Sequence, residues 1–475
     1  MSANATVTSP FGTFIGILDS VGQSSFRGIR FATAPRWQAP IDVETYDADV
    51  DASTFGAISP QVPGFLEQML GDDASNMSED CLFLNVYCPS EAQPDSKLPV
   101  LFWIHGGAYT NGAGSVAWYD GSRIASRGSI VVSINYRLGA LGFAGDGNFG
   151  VLDMLSGLRW VQRNIASFGG NPQNVTIFGE SAGGSAVVSL MATEGASTLF
   201  HKAWAMSPSI GQLRELPRAH ELSDQFLEIL DAESLSDAAK YPTEKILEAQ
   251  TTAALIPSQG FDVFAPTGGG TAVKTNIIDA ASRCPIPFVV GTNRDENKLW
   301  SAFNQDAAND GQPEWEKFTT QTFGDKAGLA RTTYETRRPG EAVRELISAV
   351  NTDISFRQPA QNLSEQRVAH NNPTWMYWFT WATPAFGGIL GSCHALDIPF
   401  AFDNLGAPGT DMLLGTEENR QALATRFADE IVNFATHGHP SWEQFNVSSR
   451  PTMEMNIESS LVGDPESDIR QLFGR

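Results

Sequence analysis

One short stretch of the chain combines a serine, two glycines and a carboxylate in an order suited to covalent catalysis. The pentapeptide Gly179–Gly183 reads G-E-S-A-G, with Ser181 at its centre. It follows a β-branched and aromatic run, Val175–Phe178, and precedes small and apolar residues at helical spacing. Glycines at both ends allow a strand-to-helix turn so tight that the serine side chain is pushed clear of the backbone. This context predicts a nucleophilic serine, whereas the pentapeptide alone could arise by chance in a glycine-rich chain.

A serine hydroxyl is a poor nucleophile at neutral pH, so it needs a base within hydrogen-bond reach and an acid that orients the base. For a serine on a strand–turn–helix, the partners follow in the order serine, acid, histidine. His105 precedes the serine, and His201 follows it too closely to leave room for an acid. His394 lies in a loop after a strand, which suits a base that must reach across. Surface or structural positions are expected for the remaining histidines: His220, His370, His437 and His439.

Two adjacent carboxylates are candidates for the acid. Asp295 and Glu296 come just after the buried strand predicted over 287–292. Catalytic groups gather at the carboxyl ends of strands in open α/β sheets. Neighbouring side chains cannot both point inward, so spacing leaves the choice between Asp295 and Glu296 open.

A glycine-containing loop provides a second hydrolase motif. His105–Ala108 reads H-G-G-A and follows an apolar strand that ends at Ile104. Small residues there let backbone N–H groups approach a developing oxyanion closely. Two independent motifs in the right relative positions together predict acyl transfer through a serine nucleophile.

The elements that must position these residues alternate between strand and helix. The helix between the two motifs is predicted over 152–167, and a late helix over 417–436. Charged helical segments, about 209–275 and 300–371, resemble insertions packed over the sheet. This is a doubly wound α/β pattern, and no linker divides residues 1–475 into separate domains. Short apolar or alternating runs predict strands over 82–87, 99–104, 130–135, 175–178, 203–206, 287–292 and 375–380.

Composition limits the partners and the compartment. The net charge of -23 argues against nucleic acid and anionic membrane surfaces, because both would repel the protein. No run approaches the roughly 18 apolar residues of a membrane span, and the N-terminus does not resemble a secretory signal. The four cysteines form no C-x-x-C pair, so neither a zinc site nor a disulfide framework is expected. A cytoplasmic protein is the simplest interpretation.

Beyond the two motifs, the chain resembles the type-B carboxylesterases, the family that includes cholinesterases and bacterial p-nitrobenzyl esterases. The resemblance extends over nearly the full length of the chain, and the combination of its motifs is highly specific. It is carried by Phe26–Ala32, Ser78–Tyr87, Trp103–Ala108, Asn135–Gly139, Gly150–Asp153, Trp160–Ile165, Phe168–Pro172 and Phe178–Gly184.

The resemblance implies an α/β-hydrolase fold, with a central, mostly parallel twisted sheet, helices on both faces and helical insertions over the active site. It implies a serine carboxylesterase that works through an acyl-enzyme, with a small-molecule ester as substrate. Ser181 would be the nucleophile, Glu296 the acid and His394 the base. The resemblance thereby favours Glu296 over Asp295 as the acid, a choice that spacing alone left open.

Further roles follow from the same resemblance. The backbone N–H groups of Gly107, Ala108 and Ala182 would form the oxyanion hole. Glu180 would be a buried supporting carboxylate, and Ser207 a supporting serine behind the site. The family also implies two structural ion pairs, Arg36 with Glu79 and Arg137 with Asp153.

This chain also departs from the family pattern. It has no cysteine near Ser59 to pair with Cys81, so Cys81 is expected to be free. Asn297 replaces the glycine that usually follows the acid. The segment 266–270 also differs from the family's usual sequence, so the resemblance does not predict the pocket wall at that segment.

Aromatic residues and the oxyanion loop are the features that bear on the substrate pocket. Trp118, Tyr119 and Trp300 are candidates for an apolar acyl or alcohol pocket, although core positions suit them equally well. The G-G-A loop resembles that of relatives that accept esters of bulky, even tertiary, alcohols. No metal or organic cofactor is implied, and a monomer or small homo-oligomer is expected. The alternatives are an amidase or aryl-carbamate hydrolase with the same triad and, less favoured, a non-catalytic binding module.

Overall fold

A large twisted sheet organises the chain in the computed structural model, which describes residues 4–64, 76–255, 264–303, 311–415 and 419–474. Within those residues the sheet contains 13 strands. They are β1 Asn4–Ser9, β2 Gly12–Leu18, β3 Ser24–Arg30, β4 Val50–Asp51, β5 Phe83–Cys88, β6 Leu98–Ile104, β7 Ile130–Ile134, β8 Gly170–Glu180, β9 Lys202–Met206, β10 Phe288–Asn293, β11 Thr374–Phe379, β12 Pro451–Met455 and β13 Ser460–Gly463.

The sheet is parallel in its centre and antiparallel at its edges. Its strand order is β1-β2-β3-β5-β7-β6-β8-β9-β10-β11-β12-β13, with β4 paired to β2. All pairings from β7 through β12 along that order are parallel. The successive pairings β1-β2, β2-β3, β3-β5, β5-β7 and β12-β13 are antiparallel, and the short β4 pairs with β2 in parallel. Parallel neighbours end at the same edge, so the loops after β6, β8, β10 and β11 lie close together. Two short strand pairs lie apart from this sheet: Ala32–Thr33 with Ile41–Asp42, and Arg214–Glu215 with Thr267–Gly268.

Helices cover the sheet and form the insertions. The described α-helices are α1 Ser122–Ala125, α2 Gly139–Phe143, α3 Phe149–Asn164, α4 Ala182–Met191, α5 Leu216–Leu230, α6 Leu235–Ala238, α7 Thr243–Ala254, α8 Ile277–Ser282, α9 Lys298–Ser301, α10 Gln312–Phe323, α11 Ala327–Arg337, α12 Val343–Thr352, α13 Gln358–Ala369, α14 Ile398–Ala401, α15 Thr410–Leu414, α16 Arg420–His437 and α17 Ser467–Leu472. A π-helical turn, Asp353–Arg357, joins α12 to α13. Short 3₁₀ helices occur at Ala117–Tyr119, Ile165–Phe168, Ala196–Thr198, Ile210–Gln212, Gly324–Lys326 and Ala385–Gly388. None of the helices in these described ranges is long and apolar enough to cross a membrane.

Successive side chains of a strand point to opposite faces, so each central strand contributes to two hydrophobic cores. In β6, Phe102 packs into the core that contains residues of α3 and α4. The next residue, Trp103, packs into the opposite core with residues of α16. Burial on both faces explains why the central strands are almost wholly apolar.

The predicted elements agree with the structure to within a few residues. The predicted strands correspond to β5 to β11, and the helix predicted over 152–167 is α3, which begins at Phe149. The late helix begins at Arg420, and residues 417 and 418 of its predicted start lie outside the described residues. The first predicted insertion contains α5 to α7 and the second contains α9 to α13, while residues 256–263 and 304–310 of these segments lie outside the described residues.

Both ion pairs implied by the resemblance are present. In the buried pair, Arg137 Nη2 lies 2.7 Å from Asp153 Oδ1. In the half-buried pair, Arg36 Nε lies 2.9 Å from Glu79 Oε2. All four cysteines, Cys81 included, are buried and free.

Candidate active site

The turn between β8 and α4 presents Ser181 at the carboxyl edge of the sheet. Ser181 adopts φ 57° and ψ −121°, a conformation that L-residues rarely occupy. Its backbone N–H donates to the carbonyl of Met206 at 2.9 Å, which ties the turn to β9. A Cβ on Gly183 would lie 2.0 Å from the carbonyl oxygen of Ile104, so only glycine lets α4 pack this closely against β6.

A continuous hydrogen-bonded chain joins serine, histidine and glutamate. His394 Nε2 lies 2.7 Å from Ser181 Oγ, and His394 Nδ1 lies 2.7 Å from Glu296 Oε2. His394 is 3% exposed and Glu296 is fully buried. The other oxygen of Glu296 accepts the N–H of Asn293 at 2.7 Å, which fixes the carboxylate. Such a chain can move a proton from the hydroxyl to the imidazole.

Asp295, the other candidate acid, points away from His394. Its Oδ2 accepts the N–H of Ser392 at 3.0 Å, and its Oδ1 pairs with the guanidinium of Arg338. Burial alone would raise the pKa of Asp295, but the charges of Arg338 and Lys298 and the hydrogen bonds from Ser392 and Arg338 together outweigh it and lower that pKa. The side chains of Asp295 and Glu296 thus point in opposite directions, and that of Glu296 contacts His394.

The loop after β6 lies directly against the serine turn. Gly107 and Ala108 have positive φ values of 98° and 52°. At Gly107 a Cβ would lie 2.3 Å from the carbonyl oxygen of Asn111, so that position requires glycine. Among the described residues, the N–H groups of Gly107, Ala108 and Ala182 have no hydrogen-bond acceptor. Two of these unused donors therefore lie on the loop, and the third, that of Ala182, directly follows Ser181 in sequence.

A second buried carboxylate approaches the same imidazole. Glu180 Oε1 lies 3.2 Å from His394 Nε2, and Glu180 is 3% exposed. Burial raises the pKa of Glu180 to about 8. Burial alone would lower the pKa of His394, but the carboxylates of Glu180 and Glu296 outweigh it and raise that pKa to about 9.

A cavity of about 720 Å³ opens onto Ser181. Trp118, Tyr119 and Trp300, the three aromatic candidates, all line it. Trp118 and Tyr119 are also part of a buried core, so they contact both the cavity and the core, and their role in substrate binding stays a prediction. Trp300 is 46% exposed, and its ring centroid lies 4.9 Å from that of His394.

Comparison with known proteins identifies the family. A model described as the Carboxylesterase family matches residues 3–468. The chain belongs to this family. The para-nitrobenzyl esterase of Bacillus subtilis (strain 168) is 33% identical over 500 residues, covering 98% of this chain and 97% of the relative. Cocaine esterase of Homo sapiens is 32% identical, covering 93% of this chain and 85% of the relative.

Solved structures agree with that assignment. A PNB esterase superimposes with a TM-score of 0.85 at 31% identity, covering 99% of both chains. A carboxylesterase of Geobacillus stearothermophilus gives a TM-score of 0.86 at 29% identity, covering 98% of this chain and 99% of that one. The α/β-hydrolase fold and the type-B carboxylesterase resemblance are therefore confirmed, and the protein is a carboxylic ester hydrolase.

One buried acidic residue near the triad of this carboxylesterase, Asp397, was not predicted from the sequence. Asp397 is fully buried and accepts the hydroxyl of Tyr377 at 3.2 Å and the side-chain amide of Asn293 at 3.3 Å. Burial and the nearby Glu296 raise the pKa of Asp397 to about 7. A lone carboxylate in the apolar run that follows His394 was the available signal.

The π-helical turn is the second feature that the sequence did not reveal. It places Ile354, Ser355 and Phe356 on the cavity of the esterase. The ring of Phe356 lies 4.9 Å from that of His394 and stacks on Trp300 with 6.2 Å between centroids. Periodicity indicated only helix in this insertion, and the widened turn that exposes consecutive residues on one side leaves no separate pattern.

The remaining candidates lie around the site rather than in it. Ser207 is fully buried beside the serine turn, and its hydroxyl has no hydrogen-bond partner in the described ranges. Its supporting role remains a prediction. His105 stacks on Tyr136 at 4.5 Å, and burial lowers the pKa of His105 to about 4. His201 accepts the N–H of Val175 at 3.2 Å and is structural.

Proposed function

We propose that this carboxylesterase hydrolyses esters through an acyl-enzyme formed on Ser181, with His394 as the general base and Glu296 as the orienting acid. The observation that carries the proposal is the hydrogen-bonded chain Ser181–His394–Glu296, with both contacts at 2.7 Å. Glu296 would hold the imidazole in the tautomer whose free Nε2 accepts the serine proton.

The acylation half-reaction follows from this geometry. As Ser181 Oγ attacks the ester carbonyl carbon, its proton passes to His394 Nε2. The carbonyl oxygen becomes an oxyanion and receives hydrogen bonds from the N–H groups of Gly107, Ala108 and Ala182. His394 then gives the proton to the departing alkoxide, which leaves as the alcohol.

Deacylation repeats these steps with water as the nucleophile. His394 takes a proton from water as the oxygen attacks the acyl carbon, and the proton returns to Ser181 as the acid is released. Each oxyanion donor lowers the barrier by roughly 3–4 kcal/mol. These donors need no reorganisation during the reaction, because the loop conformation already leaves them free of other acceptors.

The substrates we propose are neutral small-molecule esters with apolar groups. Trp118, Tyr119 and Trp300 supply aromatic surface to the cavity. Among its described lining residues, Glu180 and His394 are the only acidic or basic side chains, and they belong to the catalytic region. A charged group bound elsewhere in the cavity would lose hydration without gaining a partner.

The test is a panel of p-nitrophenyl esters, aryl carbamates and anilides assayed with wild type and Ser181→Ala. We expect the esters to be cleaved, and the variant to lose on the order of 10⁴-fold or more in kcat. Wild-type rates in Ser181→Ala would overturn the mechanism. Turnover of carbamates or anilides in preference to esters would favour the amidase or carbamate alternative.

We also infer a cytoplasmic location. The support is chemical: all four cysteines are free and buried, which suits a reducing compartment. Fractionation of the native host, with activity followed in the cytoplasmic and extracellular fractions, tests this inference.

A further inference from the structure

A short 3₁₀ helix, Ile210–Gln212, forms one wall of the active-site cavity. It follows β9 closely, and β9 pairs with the strand that ends at the serine turn. Ser209, Gly211 and Gln212 all line the cavity. The wall is polar, in contrast to the aromatic surface of Trp300 and Phe356.

Two serine hydroxyls orient the side chain of Gln212. Ser185 lies on α4, and its Oγ is 3.2 Å from Ser209 Oγ. Ser209 Oγ donates to Gln212 Oε1 at 2.8 Å. Ser209 has a single hydroxyl proton, so in this chain Ser185 must be the donor to Ser209. The amide oxygen of Gln212 is thus fixed toward the protein.

This orientation leaves the amino group of Gln212 as an unused donor. Its Nε2 has no hydrogen-bond partner among the residues that the structure describes. Two other polar side chains of the cavity are already hydrogen-bonded within the protein. Thr110 Oγ1 donates to Asn111 Oδ1 at 2.9 Å, and Asn297 Nδ2 donates to Ser348 Oγ at 3.3 Å.

We propose that Gln212 is a specificity residue that donates a hydrogen bond to an acceptor oxygen of the substrate, carried at a distance from the scissile ester. The preferred class is then esters whose acyl or alcohol part contains a ketone, an ether or a second ester oxygen. The inference rests on the proposed function, because the scissile carbonyl must lie at Ser181. A site built to hydrogen-bond a substrate group discriminates against the analogue that lacks it.

The experiment compares matched esters in which an oxygen acceptor replaces a methylene. An acyl series pairs p-nitrophenyl methoxyacetate and 3-methoxypropanoate with the butyrate and pentanoate, and an alcohol series pairs 2-methoxyethyl acetate with n-butyl acetate. For each pair, kcat/KM is measured for wild type and Gln212→Met, whose side chain has a similar shape but no donor. Intrinsic differences in ester reactivity cancel when the acceptor-to-methylene ratio is compared between enzymes.

We expect Gln212→Met to lower this ratio by about 3- to 10-fold for at least one acceptor position, as loss of one neutral hydrogen bond predicts. Ser209→Ala should lower it less, since the amide remains but is no longer oriented. Gln212→Glu should lower it more, because a carboxylate repels an acceptor oxygen. Thr110→Val is the matched control, and its ratio should stay within about twofold of wild type, because that hydroxyl is already committed.

The proposal is overturned if the ratio changes by less than twofold at every acceptor position, or if Thr110→Val changes it as much as Gln212→Met. An unchanged or higher ratio in Gln212→Glu would also overturn it, because the amide oxygen rather than the amino group would then face the substrate. Failure of the proposed function would be recognised separately, by persistence of ester hydrolysis in Ser181→Ala.

Discussion

The carboxylate of Asp295 and the guanidinium of Arg338 form an ion pair in which the two side chains are only 7% and 6% exposed. Arg338 directly follows α11 of the second insertion, and Asp295 also accepts the N–H of Ser392, two residues before His394. A Cβ on Gly391 would lie 2.6 Å from Asp295 Oδ2, so glycine is required for this approach. Asp295 therefore holds the histidine loop against the turn that carries Glu296.

Loss of Arg338 should destabilise the protein strongly. Arg338→Met leaves the carboxylate of Asp295 buried without its partner, and such a loss costs about 3–5 kcal/mol. Arg337→Ala is the control, because the ion pair of Arg337 with Asp468 is 41% and 44% exposed, and such pairs contribute at most about 1 kcal/mol. Urea unfolding followed by tryptophan fluorescence measures both midpoints. Equal shifts of the two unfolding midpoints would show that the buried Asp295–Arg338 pair stabilises the protein no more than the exposed pair does.

Substitutions of the two adjacent carboxylates, Asp295 and Glu296, should have clearly different effects on kcat. Glu296→Gln retains a similar shape but cannot stabilise the imidazolium, so kcat should fall by about 10⁴-fold. Asp295→Asn keeps an oxygen that can accept the N–H of Ser392, and we expect kcat to fall by no more than about 10²-fold. Steady-state kcat values of both variants with p-nitrophenyl butyrate show which carboxylate is the acid. A larger loss in Asp295→Asn would reverse the assignment of the acid.

The pH profile should reflect the carboxylates around His394. Catalysis needs the neutral imidazole, and the pKa of His394 is raised to about 9, so kcat/KM should rise with pH through the neutral range toward that value. Glu180→Gln removes a negative charge that favours the imidazolium, so the midpoint should move to lower pH. Because His394 and Glu180 interact closely, the midpoint belongs to the pair. A midpoint that stays in place would contradict the coupling.

Bulky alcohols should be tolerated. The oxyanion loop has the G-G-A form, and the cavity that it borders has a volume of about 720 Å³. We expect wild type to hydrolyse tert-butyl acetate as well as n-butyl acetate, measured by release of acetic acid. Cleavage of the n-butyl ester alone would show that the cavity excludes a tertiary centre near Ser181.

The sequence predicts those parts of the site whose backbone conformation depends on residues close by in the chain. The turn at Ser181 needs glycines within a few residues, so its pattern is visible in the chain. Asp295 and Glu296 could not be separated by spacing, because their orientations depend on Arg338 and His394, which are distant in sequence. Phe356 was missed for a different reason, because its place at the site depends on a π-helical turn that leaves no separate pattern within an otherwise helical insertion.

The separation of the catalytic groups along the chain also affects how the enzyme reaches its active form. His394 meets Ser181 across 213 residues and Glu296 across 98 residues. Contacts between such distant segments form late and slowly during folding, because long loops must close first. After dilution from denaturant, ester hydrolysis should therefore return more slowly than helical circular dichroism, which makes activity a sensitive reporter of complete folding.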